Sequence, residues 1–544
     1  MPANPVESVA VVGLGAVGTE LSRRLTAAGL ATVGVDHDPA AETSARRAVG
    51  SALFTATGDL SAIARADLVI EAVPEPEPGK HRVLGAVAGY RRPDAPVVTT
   101  ALTTPAAELA PAARGDLLAL RFLRADRLDA VELARAPHTG DAAAARVTDT
   151  LTRAGVTPLA VPDLPGSVAP ALVFGLLNQA VSTCNDGYAD RDSLETALRL
   201  GCNWSEGPLA VLDAIGDRTA RDILEGLHRR LGPRYAPALP LAARPPARRP
   251  ARRRDDGVTT VAVVGSGTMA TGVAETVLRA GYRTLLVARS RRKAAAVTEN
   301  IEFKLRAAGL KDDELVAALG RWSATDDLAL IAGADLVIEA VAEDMAVKLG
   351  LFRKFGRLCR EGGVLATTTS SLPVGECARA SGRPQDVLGL HFFNPPPAMR
   401  LIELIRTADT GEAALARARG VAHRLGKVAV ECGDRTGFIV NALLFPYLND
   451  ALRMLERPGI EPRLLDKALK SVGGQPLGPA RLLDTIGLDV ALDIQRRLHQ
   501  ESPRPELAPA RLLEELVAHG HLGRKTPGRG VHARPAVHAR GTAV

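Results

Sequence analysis

The alternation of apolar and polar positions along the chain follows one scheme, and that scheme occurs twice. Each time, a β-branched run is followed by a glycine-rich turn, a helical stretch that ends at a glycine, and a second apolar run. Strand, turn, helix and strand in this order predict the first unit of a doubly wound parallel sheet, because a crossover helix returns the chain to the next parallel strand. The predicted strands are residues 9–12, 32–35 and 67–73 in the first copy and 261–264, 284–287 and 335–341 in the second.

Helical periodicity replaces the strand pattern after Asp163 and again after Asp434. We therefore predict an α/β protein with two Rossmann-type doubly wound parallel-sheet domains, each followed by a small all-helical domain. The predicted parts are a sheet domain at 1–162, a helical domain at 163–241, a linker at 242–257, a second sheet domain at 258–433 and a second helical domain at 434–534.

The repetition extends to the letters of the sequence. "ADLVIEAVPE" at 66–75 returns as "ADLVIEAVAE" at 334–343, and an offset of 271 residues relates Asp163 to Asp434 and Gly166 to Gly437. A repeat of about 250 residues is far longer than a solenoid unit of roughly 20–50 residues. The chain is therefore predicted to be a tandem duplication, and function has to be assigned to each copy separately.

Length and composition add limits to this picture. The 544 residues are 46% apolar, which is enough for several domains with sizeable cores. Five cysteines without a CxxC pair predict neither a disulfide framework nor a metal site, and they fit a reducing compartment. No basic-flanked leader and no apolar run of about 18 residues occurs, so we expect a cytoplasmic protein without a membrane segment.

The net charge of +7 comes mainly from one stretch. Six arginines lie in "RPPARRPARRR" at 244–254, and the remainder of the chain is close to neutral. The interspersed prolines predict an extended, solvated linker between the copies. Aromatic residues make up only 3% of the chain and offer little for base stacking, so we predict no nucleic-acid partner, with polyanion or scaffold binding by the linker as the alternative.

Each copy carries a glycine-rich turn between its first strand and its first helix. Such turns let a backbone approach a pyrophosphate at a helix N-terminus. The candidate cofactor-binding glycines are Gly13, Gly15 and Gly18 in the first copy and Gly265, Gly267 and Gly272 in the second, where Ala270 holds the third place. The alternative is a turn that only packs a helix on a strand.

The residue after the second strand differs between the copies. Asp36 in the first copy is positioned to accept hydrogen bonds from the adenine-ribose hydroxyls of NAD. The second copy has Ala288 there, followed by Arg289 and further basic residues, which favours the 2′-phosphate of NADP. The alternative for Arg289 is the solvated start of a basic helix.

Several ordered motifs occur only in the second copy. Ser-Ser-Leu, His-Phe-Phe-Asn-Pro, a glutamate twelve residues after the histidine, and Gly-Phe-Ile-Val-Asn follow one another within 367–451. In order and spacing they resemble the L-3-hydroxyacyl-CoA dehydrogenase family, over about 261–530. The resemblance implies an oxidoreductase that interconverts (S)-3-hydroxyacyl-CoA and 3-oxoacyl-CoA with NAD or NADP. Alternative substrates are a free 3-hydroxy acid, as in an L-gulonate-type enzyme, and a hydroxyacyl group on an acyl carrier protein.

The resemblance also implies roles for individual residues. His391 would be the general base that takes the 3-hydroxyl proton, and Glu403 would orient its ring. Ser370 and Asn441 would hydrogen-bond the substrate oxygen. Taken alone, His391 in an apolar strand would be read as a core residue.

Further residues match family positions beside the cofactor. These are Glu343, Lys348, Asn394 and Lys525. The motif around Lys525 departs from the family pattern after Gly530, where Val531 and His532 replace an aromatic pair. The candidates by charge for the CoA phosphates are Lys304, Arg306 and Lys311.

The first copy lacks these groups. Aligned on the repeat, Arg121 stands at the histidine and Pro170 at the asparagine, no serine is present, and Glu132 remains. We therefore predict that this copy does not oxidise hydroxyacyl thioesters.

The resemblance also bears on assembly, because enzymes of the family are typically homodimers joined through their helical domains. This chain carries two such domains. We therefore predict that they pack on each other as an intramolecular pseudo-dimer.

Overall fold

The computed structural model describes residues 6–75, 77–240 and 257–533. The predicted linker at 242–257 lies outside the described residues except for Gly257. All structural statements below concern the described part of the chain.

Each copy contains one eight-stranded sheet. The strands of the first are β1 (Ser8–Val12), β2 (Ala31–Val35), β3 (Phe54–Thr57), β4 (Leu68–Glu71), β5 (Val97–Thr99), β6 (Leu117–Arg121), β7 (Ala130–Arg135) and β8 (Thr157–Ala160). Those of the second are β9 (Thr260–Val264), β10 (Arg283–Val287), β11 (Trp322–Thr325), β12 (Leu336–Glu339), β13 (Val364–Thr367), β14 (Val387–Phe392), β15 (Leu401–Arg406) and β16 (Val428–Gly433).

Strand order confirms the predicted doubly wound sheets. The first sheet runs β3-β2-β1-β4-β5-β6-β7-β8, and the second repeats this order from β11 to β16. Neighbouring strands are parallel except β6 with β7 and β14 with β15, which are antiparallel. The order reverses between β1 and β4, and between β9 and β12, so a crevice opens where the glycine turns leave the sheets.

Helices cover the sheets and form a bundle after each. In the first copy they are α1 (Ala16–Ala27), α2 (Pro39–Val49), α3 (Glu77–Tyr90), α4 (Ala106–Ala113), α5 (Asp141–Arg153), α6 (Ala169–Asn185), α7 (Arg191–Gly201), α8 (Pro208–Ile215) and α9 (Asp217–Leu231). In the second they are α10 (Thr268–Arg279), α11 (Arg291–Ala307), α12 (Asp312–Leu319), α13 (Met345–Leu358), α14 (Val374–Ser381), α15 (Glu412–Arg424), α16 (Val440–Leu455), α17 (Pro462–Ser471), α18 (Pro479–Ile486), α19 (Leu488–Glu501) and α20 (Arg511–Ala518). None of the described helices is long and apolar enough to cross a membrane.

The two bundles contact each other through their first helices. Helices α6 and α16 are buried along most of their length and pack side by side. Their apolar side chains belong to one continuous cluster, which also reaches one face of the second sheet. An arrangement of this kind buries apolar helix faces that neither bundle could cover alone.

Candidate active site

The pairing of β14 with β15 brings His391 and Glu403 together. The two residues are direct cross-strand partners, so their side chains leave the same face of the sheet. His391 Nδ1 lies 2.6 Å from Glu403 Oε2, and the exposed fractions are 6% and 0%. A buried contact through Nδ1 fixes the ring and turns Nε2 toward the space in front of the sheet.

The second oxygen of Glu403 serves the helix that follows. Glu403 Oε1 accepts hydrogen bonds from the backbone N–H groups of Ile439 and Val440, at 3.0 Å and 2.9 Å. These are unpaired donors at the N-terminus of α16, where a carboxylate is favoured. The aromatic rings of Phe393 and Phe438 lie 4.7 Å and 5.4 Å from the His391 ring. The dyad is therefore held by the sheet, by α16 and by two aromatic side chains.

Ser370 and Asn441 lie on the two elements that border the dyad. Ser370 follows β13, and its N–H donates to Glu343 Oε1 at 2.9 Å. Asn441 is the second residue of α16, next to Val440, and its Nδ2 lies 3.5 Å from the Ser370 carbonyl oxygen. The structure thus brings the Ser370 loop and the start of α16 into contact, and Val440 ties that helix to Glu403.

Glu343 organises the loop that carries Ser370. Thr369 Oγ1 donates to its carboxylate at 2.6 Å, and Lys348 Nζ lies 3.3 Å away. Burial acts to raise the pKa of Glu343, but the charge of Lys348 and the hydrogen bonds from Thr369 and Ser370 outweigh it and lower the pKa below its usual value. Glu343 is therefore an ionised acceptor that shapes the loop.

Lys348 is buried inside this network. Its side chain is 1% exposed and pairs with Glu339 at 2.8 Å, at the end of β12. The first copy has the same pair, Lys80 with Glu71 at 3.0 Å, although it lacks the dyad. We therefore interpret Lys348, like Lys80 in the first copy, as a residue that stabilises the fold. Sequence reasoning missed Glu339, although the repeated "VIEA" with a lysine nine residues later was a visible signal.

The first glycine turn is closely packed where glycine is required and open at its front. Gly13 has a φ of +99°, and a Cβ there would lie 2.8 Å from the Ala72 carbonyl group. A Cβ on Gly18 would lie 1.8 Å from the Gly13 carbonyl oxygen, whereas no atom lies within 4 Å of a Cβ built on Gly15. The backbone at Gly15 is thus accessible from the crevice, as the approach of a pyrophosphate requires.

The second glycine turn has the same geometry at Gly265 and Gly267, but Gly272 packs differently from Gly18. Gly265 has a φ of +138°, and a Cβ there would lie 2.3 Å from the Ala340 carbonyl oxygen, while the front of Gly267 is open. Gly272 differs, because a Cβ there would lie 2.8 Å from Pro396. Gly272 thus lies within α10 and packs against the loop that carries Pro396.

Asp36 and Ala288 occupy the same position after the second strand of each sheet. Asp36 Oδ2 accepts the Leu14 N–H at 2.7 Å, so the carboxylate closes on the glycine turn. Ala288 is buried and has no such group, and the Arg289 side chain beside it is exposed. The carboxylate of the first copy is therefore replaced by the methyl group of Ala288, and an exposed cationic residue follows it.

The remaining candidates lie in different places. Asn394 is exposed directly after β14, in the loop whose Pro396 packs on α10. Lys525 pairs with Asp489 at 2.8 Å within the second helical segment, and no described contact joins it to a glycine turn. Among the residues considered for the CoA phosphates, Lys304 pairs with Glu275 and Arg306 with Glu302. Lys525, Lys304 and Arg306 thus each have a local ion-pair partner, and the Lys311 backbone N–H donates to Glu314; their roles at the cofactor and at CoA stay predictions.

In the first copy a buried arginine fills the place of the histidine. Arg121 is fully buried, pairs with Asp163 at 2.8 Å and donates to three backbone carbonyl groups. Burial lowers the pKa of Arg121 from its usual value, against the charge of Asp163. Glu132, its cross-strand partner, gives both oxygens to backbone N–H groups at the start of α6, at 2.9 Å and 2.7 Å. This site has the scaffold of the second copy without an imidazole.

Comparisons with known proteins find family domains in both copies. The family model described as 3-hydroxyacyl-CoA dehydrogenase, NAD binding domain, matches residues 50–164 and 260–435. The model described as 3-hydroxyacyl-CoA dehydrogenase, C-terminal domain, matches residues 166–260 and 437–532. The two domains thus occur in the same order twice, which confirms the tandem duplication.

Individual relatives each match about half of the chain. A 3-hydroxybutyryl-CoA dehydrogenase of Mycobacterium tuberculosis is 41% identical over 283 residues, covering 51% of this chain and 99% of the relative. The mitochondrial hydroxyacyl-coenzyme A dehydrogenase of Sus scrofa is 35% identical over 286 residues, covering 51% of this chain and 91% of the relative. The solved structure of an (S)-3-hydroxybutyryl-CoA dehydrogenase from Ralstonia eutropha is 32% identical, covers 51% of this chain and 100% of that one, and gives a TM-score of 0.49. By its repeated family domains, the chain belongs to the 3-hydroxyacyl-CoA dehydrogenase family.

Proposed function

We propose that the second copy interconverts (S)-3-hydroxyacyl-CoA and 3-oxoacyl-CoA by hydride transfer with a nicotinamide cofactor. The observation that carries this proposal is the buried His391–Glu403 pair with a 2.6 Å contact, which borders Ser370 and Asn441. Of these four residues only Glu403 has a counterpart of the same type in the first copy, Glu132. The relatives whose names specify hydroxyacyl-CoA or hydroxybutyryl-CoA substrates support the thioester as substrate class.

The chemistry of the chain's own residues follows from the geometry. When bound, a nicotinamide cofactor accepts or supplies the hydride. His391 Nε2 takes the proton of the 3-hydroxyl group, while Glu403 stabilises the imidazolium through Nδ1. Ser370 and Asn441 hydrogen-bond the reacting oxygen and hold the carbon in position. In the reverse direction His391 Nε2 returns the proton to that oxygen.

The second glycine turn fits a dinucleotide. The open front of Gly267 beside the α10 N-terminus would hold the pyrophosphate, and Asn394 lies in the loop packed against that helix. We propose that Arg289 allows NADP to be used, since Ala288 replaces the carboxylate that would repel a 2′-phosphate at this position.

For the first copy we propose cofactor binding without turnover. Its glycine turn is complete and Asp36 is positioned for NAD, whereas Arg121 occupies the place of the general base. Hydride transfer from a hydroxyacyl group to the cofactor would lack an acceptor for the hydroxyl proton there.

We further propose that the two helical segments act as an intramolecular pseudo-dimer. The apolar packing of α6 on α16 supports this, as does the ion pair of Arg234 with Asp450 at 2.7 Å across the two segments. The chain would then need no second copy of itself to cover these helices.

The test is a turnover assay with acetoacetyl-CoA under NADH and NADPH in parallel. Oxidation of the reduced cofactor that depends on acetoacetyl-CoA supports the proposal. Activity on free 3-hydroxy acids with none on the thioester would replace it with an L-gulonate-type dehydrogenase. Activity only on an acyl-carrier-protein substrate would keep the chemistry and change the carrier.

A further inference from the structure

One short segment of the second copy contacts both residues of the dyad and the Ser370 loop. Residues 433–442 join β16 to α16. The Asp434 carboxylate caps α14, accepting the Val374 N–H at 2.9 Å just after the Ser370 loop. Backbone N–H groups near the end of the segment hold Glu403, and the Phe438 ring lies against His391. The position of this segment therefore sets the geometry of the dyad.

Local backbone preferences do not favour this path. Gly437 has a φ of +77° and Phe438 a φ of +49°, so two successive residues lie in the left-handed region. A bulky residue such as Phe adopts that region at an energetic cost, which the surrounding structure must offset. The first copy adopts the same conformation at Gly166 and Ser167, so the path belongs to the fold, and contacts at the ends of the segment add to what holds it in the second copy.

Both ends are held by side chains of the first copy. Tyr188 donates its hydroxyl to the Gly433 carbonyl oxygen at 2.9 Å. Gln179 donates its amide to the Ala442 carbonyl oxygen at 2.7 Å. Between these two bonds the Arg435 guanidinium lies 4.0 Å from the centre of the Tyr188 ring.

The environment of Tyr188 keeps its hydroxyl protonated, and the environment of Gln179 orients its amide. Burial raises the pKa of Tyr188 well above its usual value, so the hydroxyl keeps the proton that it donates. The oxygen of the Gln179 amide accepts from Arg234 Nη1 at 2.7 Å, which turns its NH₂ group toward Ala442.

Tyr188 and Gln179 of the first copy donate to the second copy, but their counterparts in the second copy cannot make the same bonds to the first. The offset of 271 residues relates Tyr188 to Gly459 and Gln179 to Asp450. Gly459 has no side chain to donate and lies against Pro162, the counterpart of Gly433. Asp450 is paired with Arg234 and is no amide donor. The copy without the dyad thus supplies polar contacts that it does not receive.

From this asymmetry we infer that Tyr188 and Gln179 are positioning residues for the reaction of the second copy. They fix residues 433–442 at both ends and thereby the orientation of Glu403 and His391. The inference rests on the proposed function, since it requires that the dyad carries out the chemistry. It gives the first copy a role in catalysis without an active site of its own.

The experiment uses the full chain with Tyr188→Phe and Gln179→Glu. Tyr188→Phe removes one hydroxyl, and Gln179→Glu removes the donor to Ala442 while keeping the acceptor for Arg234. The matched control is Tyr90→Phe, which removes the same group from a half-exposed position on α3 of the same copy. For each protein, kcat, KM, bound cofactor per chain and the primary isotope effect with deuterated reduced cofactor are measured on acetoacetyl-CoA.

We expect kcat to fall about tenfold in each variant, less than the ~100-fold cost of a 1 Å misplacement of reacting groups. KM and bound cofactor per chain stay at the unmodified values, and the isotope effect increases because hydride transfer becomes slower. Tyr90→Phe leaves all four quantities unchanged.

Three outcomes overturn the inference. In the first, both variants match the unmodified chain in kcat and isotope effect. In the second, the loss of kcat equals the loss of bound cofactor with an unchanged isotope effect, which would show a purely structural role. In the third, the unmodified chain shows no turnover with either cofactor, which removes the proposed function itself and the inference with it.

Discussion

Glu403 and Glu132 occupy equivalent positions, and the residue opposite each of them distinguishes a candidate catalytic site from a structural one. Glu403 divides its oxygens between His391 and the N-terminus of α16, whereas Glu132 gives both to the N-terminus of α6. The carboxylate is therefore retained in both copies for a structural reason, and the imidazole adds chemistry to it in one. Such a residue cannot be assigned a catalytic role from its type and spacing alone.

Substituting His391 and Arg121, the cross-strand partners of these glutamates, tests which copy carries out turnover. We expect His391→Ala to lower kcat by roughly 10²–10⁴-fold, because it removes the general base. Arg121→Ala leaves kcat within a few-fold of the unmodified chain, and Arg121→Met serves as a second variant if loss of the buried guanidinium impairs folding. Steady-state assays on acetoacetyl-CoA measure both. Equal losses from the two positions would contradict the assignment of turnover to the second copy.

Arg289 decides between the two forms of the cofactor. A guanidinium contact to a 2′-phosphate contributes about 1.5–3 kcal/mol. We therefore expect Arg289→Ala to raise the KM for NADPH and to leave that for NADH nearly unchanged. The converse variant, Ala288→Asp, should favour NADH, since it restores the carboxylate that Asp36 provides in the first copy. Turnover with NADH alone in the unmodified chain would assign Arg289 to a solvated helix start.

At the level of elements, the antiparallel pair of strands in each sheet has the largest effect on the site. The turn from β14 to β15 makes His391 and Glu403 direct neighbours across the sheet. In β6 and β7 the same turn pairs Arg121 with Glu132, and that register survives the loss of chemistry. The strand pair is thus part of the fold, and the site is built on it.

Glu132→Gln tests whether this carboxylate serves the fold alone. Glutamine replaces one of the two carboxylate oxygens with an NH₂ group and removes the charge, so the two N–H groups at the start of α6 lose one of their two charged acceptors. We expect a destabilisation of about 1–3 kcal/mol, measured as a lower midpoint in urea unfolding, with kcat unchanged. Glu403→Gln should lower both stability and kcat. If Glu132→Gln also lowered kcat, the first copy would take part in the chemistry.

The sequence was informative about elements and less so about their neighbours. Strands and both helical segments follow from apolar periodicity, the glycine turns follow from the glycine spacing, and the dyad was implied by the family resemblance. The antiparallel strands, the buried Glu339–Lys348 pair and the contacts of Tyr188 were not predicted. Periodicity reports that a residue is buried, but its partner is set by packing between distant parts of the chain. For the same reason the ion pairs of Lys348 with Glu339 and of Lys525 with Asp489 were not predicted, and the placement of both lysines beside the cofactor stays a prediction.

For the whole molecule, the two bundles form one apolar core, and this predicts the behaviour of the second half alone. We expect residues 257–544, expressed separately, to be aggregated, homodimeric or weakly active, because the apolar face of α16 loses α6. Activity should return when residues 1–256 are supplied in trans. Size-exclusion chromatography with a parallel turnover assay measures both. A monomeric second half with full activity would show that the first copy serves no structural role.

The contact of α6 with α16 has a further consequence for how this surface can change. In a homodimer with a two-fold axis, both sides of the interface have the same sequence, so every substitution appears on both subunits. Here the two sides are encoded separately within one chain of 544 residues. Tyr188 on one side and Gly459 on the other are a combination that no symmetric dimer can adopt. Because the halves are joined in one chain, the first copy's surface can gain side chains that donate hydrogen bonds across the interface, while the second copy's surface keeps the backbone groups that accept them.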